Sequence, residues 1–310
     1  MNLSLVVLAA GISSRYGKLK QLDPIGPSGE ALMDYGVFDS IRAGFSKVIF
    51  VTRREIEHLM REHIEPRFGD RVNVAFVNQS LQDIPKGITI SASRMRPWGT
   101  AHAILSARHE IDQPFVVCNA DDFYGHEAYR ILADHFTQTG DQNTGSVHNE
   151  YAMAGYHLRD TLSPFGGVTR AICRHGPDGF LEGLVEVSQI QERQGQLAGT
   201  AESGDRLTLH GDETVSMNLW GFRPSMLPVL ERQFHEFLAS CSESLDREFL
   251  IPVAIGRQIE RQQARVKVLP TQGRWIGMTF TQDRSRVVDY IHGLVHRGVY
   301  PDRIAVDAHS

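Results

Sequence analysis

The chain has little cysteine. Three residues in 310 (Cys118, Cys173 and Cys241) lie far apart with no Cys-x-x-Cys pair, which excludes a disulfide framework and a cysteine-built zinc cluster. It has no apolar run near the about 18 residues that a membrane helix takes. Nor has it an excess of positive charge: Lys+Arg 32 against Asp+Glu 37 leaves a formal charge of −5. Tracking a nucleic-acid backbone takes a basic face, so duplex nucleic acid is not the expected partner, although a local phosphate site is still allowed. No basic flank or small-residue cleavage site precedes Leu3, so we expect a cytoplasmic protein with no membrane and no nucleic acid among its partners. Repeats and low-complexity linkers are also missing. What remains is ordinary globular composition, 41% hydrophobic and 22% charged, enough for one large domain or two modest ones; a homo-oligomer stays open.

Apolar runs and helical spacings alternate through the first half. Leu3 to Leu8, Lys47 to Thr52, Val72 to Val77 and Pro114 to Cys118 read as buried strands. Between them, helical faces run through residues 29–44 (Leu32, Tyr35, Phe38, Ile41), through Ile56, Leu59, Met60 and Ile64, and from about Thr100 to Glu110. Strand and helix alternating every ~25–30 residues imply right-handed crossovers and a sheet covered on both faces. The expected fold is a three-layer α/β/α sandwich with a mostly parallel central sheet.

After about residue 150 the pattern becomes β-rich. Tyr151 to Leu158, Gly167 to Arg174, Phe180 to Ser188 and Thr214 to Phe222 read as strands, with Gly-Pro-Asp-Gly at 176–179 as a hairpin turn. Residues 189–213, polar and glycine-rich, read as a surface loop. Leu227, Leu230, Phe234 and Leu238 form one late helix face, and Val287, Ile291 and Leu294 another. We expect a nucleotide-binding half over 1–150 and a β-rich acceptor-binding lobe over 151–255 within one unit of 1–255. The strand and helix of 256–310 would pack on the same unit.

The segment richest in chemistry runs from Leu8 to Gln21, directly after the first strand, where an open α/β sheet places its ligand crevice. Ala9, Ala10 and Gly11 are small, so backbone N–H groups can approach an anion. Ser13 and Ser14 add hydroxyls, and Arg15 and Lys20 are two cations five residues apart. The set suits a nucleoside triphosphate whose α-phosphate is attacked while pyrophosphate leaves. A guanidinium grips oxygens bidentately, and an ammonium places point charge where negative charge builds. The spacing is neither a Walker A loop nor a Gly-x-Gly-x-x-Gly fingerprint.

L-A-A-G-x-S-S-R-x-G-x-x-K resembles the signature loop of the nucleotidyltransferases of the GT-A-like fold: the sugar-1-phosphate nucleotidyltransferases, or NDP-sugar pyrophosphorylases, the cytidylyltransferases of isoprenoid synthesis and the molybdenum-cofactor nucleotidyltransferases. The resemblance implies that Leu8, Ala9, Ala10, Gly11, Ser13 and Ser14 hold the triphosphate, that Arg15 contacts phosphates and that Lys20 neutralises the transition state. Ser13 stands where many sugar enzymes have a second glycine, and no proline precedes Lys20; that spacing is closer to the molybdopterin branch. Lys18 competes with Lys20, which has the matching spacing.

Other segments extend the likeness. Pro97-Trp98-Gly99-Thr100-Ala101 is similar to the Gly-Thr-Ala segment that approaches nucleobase and ribose. There Gly99 lets backbone lie against a flat ring, and Thr100 can cap the next helix. Gln79, just past a strand, can read a base edge through its amide, as a glutamine does in related enzymes. Val116 to Asp122, an apolar strand ending in two acids, is similar to the family's strand then Gly-Asp, which implies a Mg²⁺ site with Asp121 as ligand and Asp122 behind it. Asn218 is a candidate for the metal or the sugar. Glu186 resembles the glutamate that bonds sugar hydroxyls, but Val187 stands where a lysine would follow, and a solvated strand residue is an equal reading. Gly155 and Gly166-Gly167 can admit sugar to the backbone. Arg274 to Thr279 resembles a Trp-x-Asp-x-Gly-Thr segment, without its acid. His292 and His296, four apart on the last helix, lack a third ligand and read as exposed.

The implied reaction takes a nucleoside triphosphate and a sugar 1-phosphate to an NDP-sugar and pyrophosphate. Its rivals are a cytidylyl or molybdopterin-type transferase acting on another phosphorylated acceptor, and a nucleotide-binding module without activity. The length suits a sugar enzyme better than a molybdopterin enzyme. Base and sugar are not readable from the sequence.

Overall fold

The computed structural model describes residues 2–11, 20–88, 90–91, 93–140, 149–201, 203–240 and 245–304. In chain order its strands are β1 (Ser4–Leu8), β2 (Lys47–Thr52), β3 (Asn73–Asn78), β4 (Phe115–Asn119), β5 (Asp122–Phe123), β6 (Asn149–His157), β7 (Val168–His175), β8 (Leu181–Arg193), β9 (Gln196–Ala201), β10 (Arg206–Leu209), β11 (Thr214–Phe222), β12 (Ala264–Pro270) and β13 (Ile276–Gly277). The α-helices are α1 (Leu32–Arg42), α2 (Glu57–Phe68), α3 (Thr100–Ser106), α4 (His126–Thr139), α5 (Met226–Ala239), α6 (Ile251–Glu260) and α7 (Asp283–His296).

One mixed sheet runs through the molecule. Its core is the parallel set β3-β2-β1-β4, joined by crossover helices. Side chains alternate across these strands as period-2 geometry requires. Leu5, Val7, Val48, Phe50 and Val116 pack into one apolar cluster, and Val6, Ile49, Val51, Phe115 and Val117 into another. The helices cover the two clusters, giving the expected three layers; the sheet is parallel at this core and antiparallel beyond it.

β11 is where the sheet forks. One of its edges pairs with β6 at Ser216↔Gly155 and again at Trp220↔Met153. The other edge first pairs antiparallel with β7 at Ser216↔Ala171, then with β4 at Trp220↔Val117. A bulge lies between, and Asn218 within it has φ 61. Asparagine tolerates this left-handed conformation better than most residues. The two partner strands therefore diverge at Asn218, and a cleft opens between the end of β4 and the start of the β-rich lobe.

The expected loop at 189–213 is instead a meander. β8 continues to Arg193, β9 pairs antiparallel with it, and β10 pairs antiparallel with β9. Gln194 and Gly195 both have positive φ (52 and 77), the tight turn that suits a two-residue hairpin. The polar composition misled because these strands hold through backbone ladders at the sheet margin. The short helix expected to reach Glu110 stops at Ser106, and turns follow.

Candidate active site

Three strand ends and one turn meet at the cleft. The Ala120 N–H donates to the Leu8 carbonyl (3.1 Å) and the Ala9 N–H to the Val51 carbonyl (2.8 Å), fixing the exits of β1, β2 and β4. Gln21, buried, sends its amide N–H groups to the carbonyls of Gly11 (2.9 Å) and Ala9 (3.3 Å). That anchors the turn Lys20–Leu22 under the exit of β1 and carries Lys20 to the end of β4. The Lys20 Nζ lies 2.6 Å from Asp121 Oδ2, across 101 residues of sequence.

Asp122 points the other way, into the protein. Its Oδ2 accepts from Asn119 Nδ2 (2.8 Å) and faces the Tyr124 hydroxyl (3.2 Å), which also reaches the Met217 carbonyl (2.9 Å). Burial first, then the neighbouring Asp121 charge, raises its carboxyl to about 7; Asn119, Lys20 and Arg170 pull it down. Its strand pairs with β13 at Asp122↔Gly277. A Cβ on Gly277 would stand 2.5 Å from Asp122 Oδ1 and 2.4 Å from Trp275 Cζ2, so only glycine fits under the buried acid. The Arg274 to Thr279 segment thus lies against the acidic strand end, with Asp122 occupying the space above its glycine.

Two cavities share this junction. The larger, about 540 Å³, is lined by Leu8, Ala10, Gly11, Gln79, Gly99 and Glu248 among others. The smaller, about 290 Å³, is lined by Lys20, Asp122, Thr169, Arg170, Glu186 and Trp275 among others. Thr100, Asn119, Asp121, Asn218 and Leu250 line both. The wall between the cavities therefore carries the half-buried carboxylate of Asp121, with the ammonium of Lys20 on it.

Residues 6–154 match the nucleotidyl transferase family model, a stretch that holds Lys20, Gln79, Gly99 and Asp121. Over that stretch the chain is similar to the nucleotidyl transferase family. Three solved structures share its fold. A UDP-glucose pyrophosphorylase complexed with UDP-glucose has 14% identity and TM-score 0.59, covering 94% of this chain and 99% of that one. A Bacillus anthracis protein described as a glucose-1-phosphate thymidylyltransferase, in complex with a sucrose, has 11% identity and TM-score 0.60 (93% and 95%). HddC from Yersinia pseudotuberculosis has 13% identity and TM-score 0.54 (93% and 98%). No curated protein matches the chain in sequence at a significant level.

Against the cleft, the expected residues sort as follows. Ser13, Ser14, Arg15 and Lys18 lie outside the described residues. Leu8, Ala10, Gly11, Gln79, Gly99, Thr100, Asp121, Asn218 and Glu186 line one cavity or both, while Ala9 is buried beneath. Gly155 is not brought there: it is packed in the sheet, where a Cβ would meet Thr214 Cγ2 at 2.7 Å and Val268 Cγ1 at 3.0 Å. Gly166 and Gly167 likewise face Phe280 and Gln189. Gly99 also has a structural reason to be glycine. With φ 105, a Cβ there would lie 2.6 Å from the Phe249 carbonyl oxygen, so close passage of the 249 backbone requires it. Thr100 caps a helix, but not its own: its Oγ1 accepts the Ile251 N–H (3.1 Å) at the start of α6. Trp98 is buried and donates to the Leu81 carbonyl (3.0 Å). His292 and His296 are exposed, and no group of three His, Cys, Asp or Glu gathers as a metal cage among the described residues.

The sequence reading passed over Arg170. It is 8% exposed, donates to Thr161 Oγ1 (3.1 Å), to the Thr161 carbonyl and to the Thr169 carbonyl (2.8 Å), and sits 5.0 Å from the Trp275 ring. Burial lowers its pKa to about 10, offset by Asp122 and Asp283. An arginine two residues after Val168 and two before Ile172, on the face those two share, was the available signal.

Proposed function

We propose that the chain transfers a nucleotidyl group from a nucleoside triphosphate to a sugar 1-phosphate, giving an NDP-sugar and pyrophosphate. One observation supports this above the others: Lys20 and Asp121 stand in the wall between two cavities of suitable size. A triphosphate entering by Gly11 and Gly99 and a phosphorylated acceptor in the Glu186 cavity would meet there. The fold shared with a UDP-glucose pyrophosphorylase is consistent with that pairing. The half before residue 150 would take the nucleotide and the lobe of 151–255 the acceptor.

An acceptor phosphate oxygen is already charged, so no general base is needed, and catalysis reduces to alignment and charge stabilisation. Lys20 would neutralise charge on the α-phosphate, held in place by Asp121 until phosphate oxygens compete for it. Arg15 is proposed to grip phosphates from the same loop. Glu186 and Asn218 would hold acceptor hydroxyls.

The donor set suits Mg²⁺. Asp121 gives one carboxylate that opens on both cavities, Asn218 lines the same wall, and a magnesium ion commonly takes one or two carboxylates with substrate phosphates and water. When bound, the ion would supply Lewis-acid stabilisation of phosphate oxygens.

The test is a matrix of nucleoside triphosphates against sugar 1-phosphates with magnesium. Pyrophosphate released only when both are present, with an NDP-sugar seen by mass spectrometry, is the expected result. Nucleotide binding without release for every acceptor, including alditol phosphates, would refute it.

A further inference from the structure

Gln79 lines the larger cavity, and its hydrogen bonds fix which atom of its amide is the nitrogen. Its side-chain Nε2 is 2.9 Å from the Gly99 carbonyl oxygen, which can only accept, so the atom placed there must be the nitrogen. The same Nε2 is 3.2 Å from His102 Nδ1. The other ring nitrogen, His102 Nε2, lies 2.9 Å from the Asp83 carbonyl, again an acceptor only. Nε2 therefore carries the proton, Nδ1 is a bare acceptor, and Gln79 donates one hydrogen to it and the other to Gly99.

This arrangement requires a neutral ring. His102 is 1% exposed and packs 4.7 Å from the Phe234 ring. Burial lowers its pKa, Arg108 and Arg94 lower it further, and the carbonyl and carboxylate of Asp83 oppose them. The backbone N–H of Gln79 is tied to the Thr52 carbonyl at 2.8 Å, so the residue is anchored at both ends. Both amide hydrogens are spent inside the protein, and among the described residues nothing donates to Oε1.

The geometry points to His102 as a specificity-positioning residue: it locks Gln79 so that only a carbonyl oxygen meets the nucleobase, selecting bases with a ring N–H at the pairing edge. Uracil, thymine and guanine present such a donor. At that ring position cytosine and adenine present a lone pair, so Oε1 facing it leaves two acceptors unpaired, and these bases could meet Oε1 only by shifting to bring the exocyclic amino group to it. This rests on the nucleotidyl-transfer reading and on Gln79 meeting the base.

The experiment compares kcat/KM for UTP, dTTP, GTP, CTP and ATP with the best sugar 1-phosphate, in wild type, His102→Leu and His102→Asn. Wild type should favour the best of the first three over CTP and ATP by about tenfold or more. His102→Leu frees the amide to turn, and the ratio should fall to within roughly threefold. His102→Asn, which can restore an acceptor near the Nδ1 position, should recover it. CTP or ATP as the best substrate of wild type overturns the inference while leaving nucleotidyl transfer standing. An unchanged ratio in His102→Leu overturns the role of His102. No turnover or binding with any triphosphate overturns the underlying reading and this one together. If the leucine variant does not fold, ¹⁵N NMR of the wild-type imidazole decides: a protonated Nε2 with bare Nδ1 supports the lock, and a protonated Nδ1 overturns it.

Discussion

Replacing Lys20 by alanine separates catalysis from stability. The ion pair it makes with Asp121 is 2.6 Å long, but the side chains are 14% and 36% exposed. A pair open to water to that degree contributes at most about 1 kcal/mol. The melting temperature of the variant should therefore drop by no more than about 2–4 °C, read by calorimetry. In the proposed reaction the same ammonium faces charge that develops only as the α-phosphate is attacked. Removing one preorganised donor of that kind costs on the order of 10²–10³ in turnover, or more. The KM for nucleotide should move little, because Gly11, Gln79 and Gly99 define the larger cavity without Lys20. The assay is continuous pyrophosphate release at saturating substrates, with nucleotide affinity measured by calorimetry. Turnover within threefold of wild type, in a folded variant, would remove Lys20 from the mechanism.

Other predictions concern the scaffold. Asp39 is fully buried, accepts from the Tyr300 hydroxyl at 2.6 Å, and has its pKa raised to about 7 by that burial. Its folded pKa exceeds its unfolded one, so stability falls as pH rises from about 4 to about 7. Asp39→Asn should be up to about 4 kcal/mol more stable than wild type above pH 7 and similar to it below pH 4; equal melting curves across that range would contradict this. Gly99→Ala should cost about 2–4 kcal/mol, because the Phe249 backbone cannot yield and the φ of 105 suits glycine alone; denaturant titration reads the loss. Gly277→Ala should cost about 1–3 kcal/mol by overpacking against Trp275 and Asp122. It should also lower pyrophosphate release more than an equally destabilising change remote from the cleft.

The parallel core was legible because its strands are near-continuous apolar runs and its helices carry regular apolar spacing. The 189–213 meander was not, since Gln196, Thr200, Arg206 and Thr208 are polar and the strand signal reduced to Gln194-Gly195 between weak alternations. The cleft residues near β1 and β4 could be read from small residues and acids at strand ends. Gly155 could not be placed, because a glycine that admits a ligand and one that admits a neighbouring strand look alike in sequence. The same ambiguity hid the Phe249 contact behind Gly99. Arg170 and His102 were missed for a different reason. Their roles come from contacts with Thr161, Trp275, Asp83 and Gln79, and only the Gln79 to His102 pair involves two segments already singled out.

The stereochemistry at the α-phosphorus tests the central claim most directly. With an α-thio nucleoside triphosphate of one configuration and a sugar 1-phosphate, direct displacement between two cavities that share one wall predicts inversion at phosphorus in the NDP-sugar. Retention would mean two successive displacements through an enzyme-bound nucleotidyl group, and would contradict an account in which both substrates meet across Lys20 and Asp121.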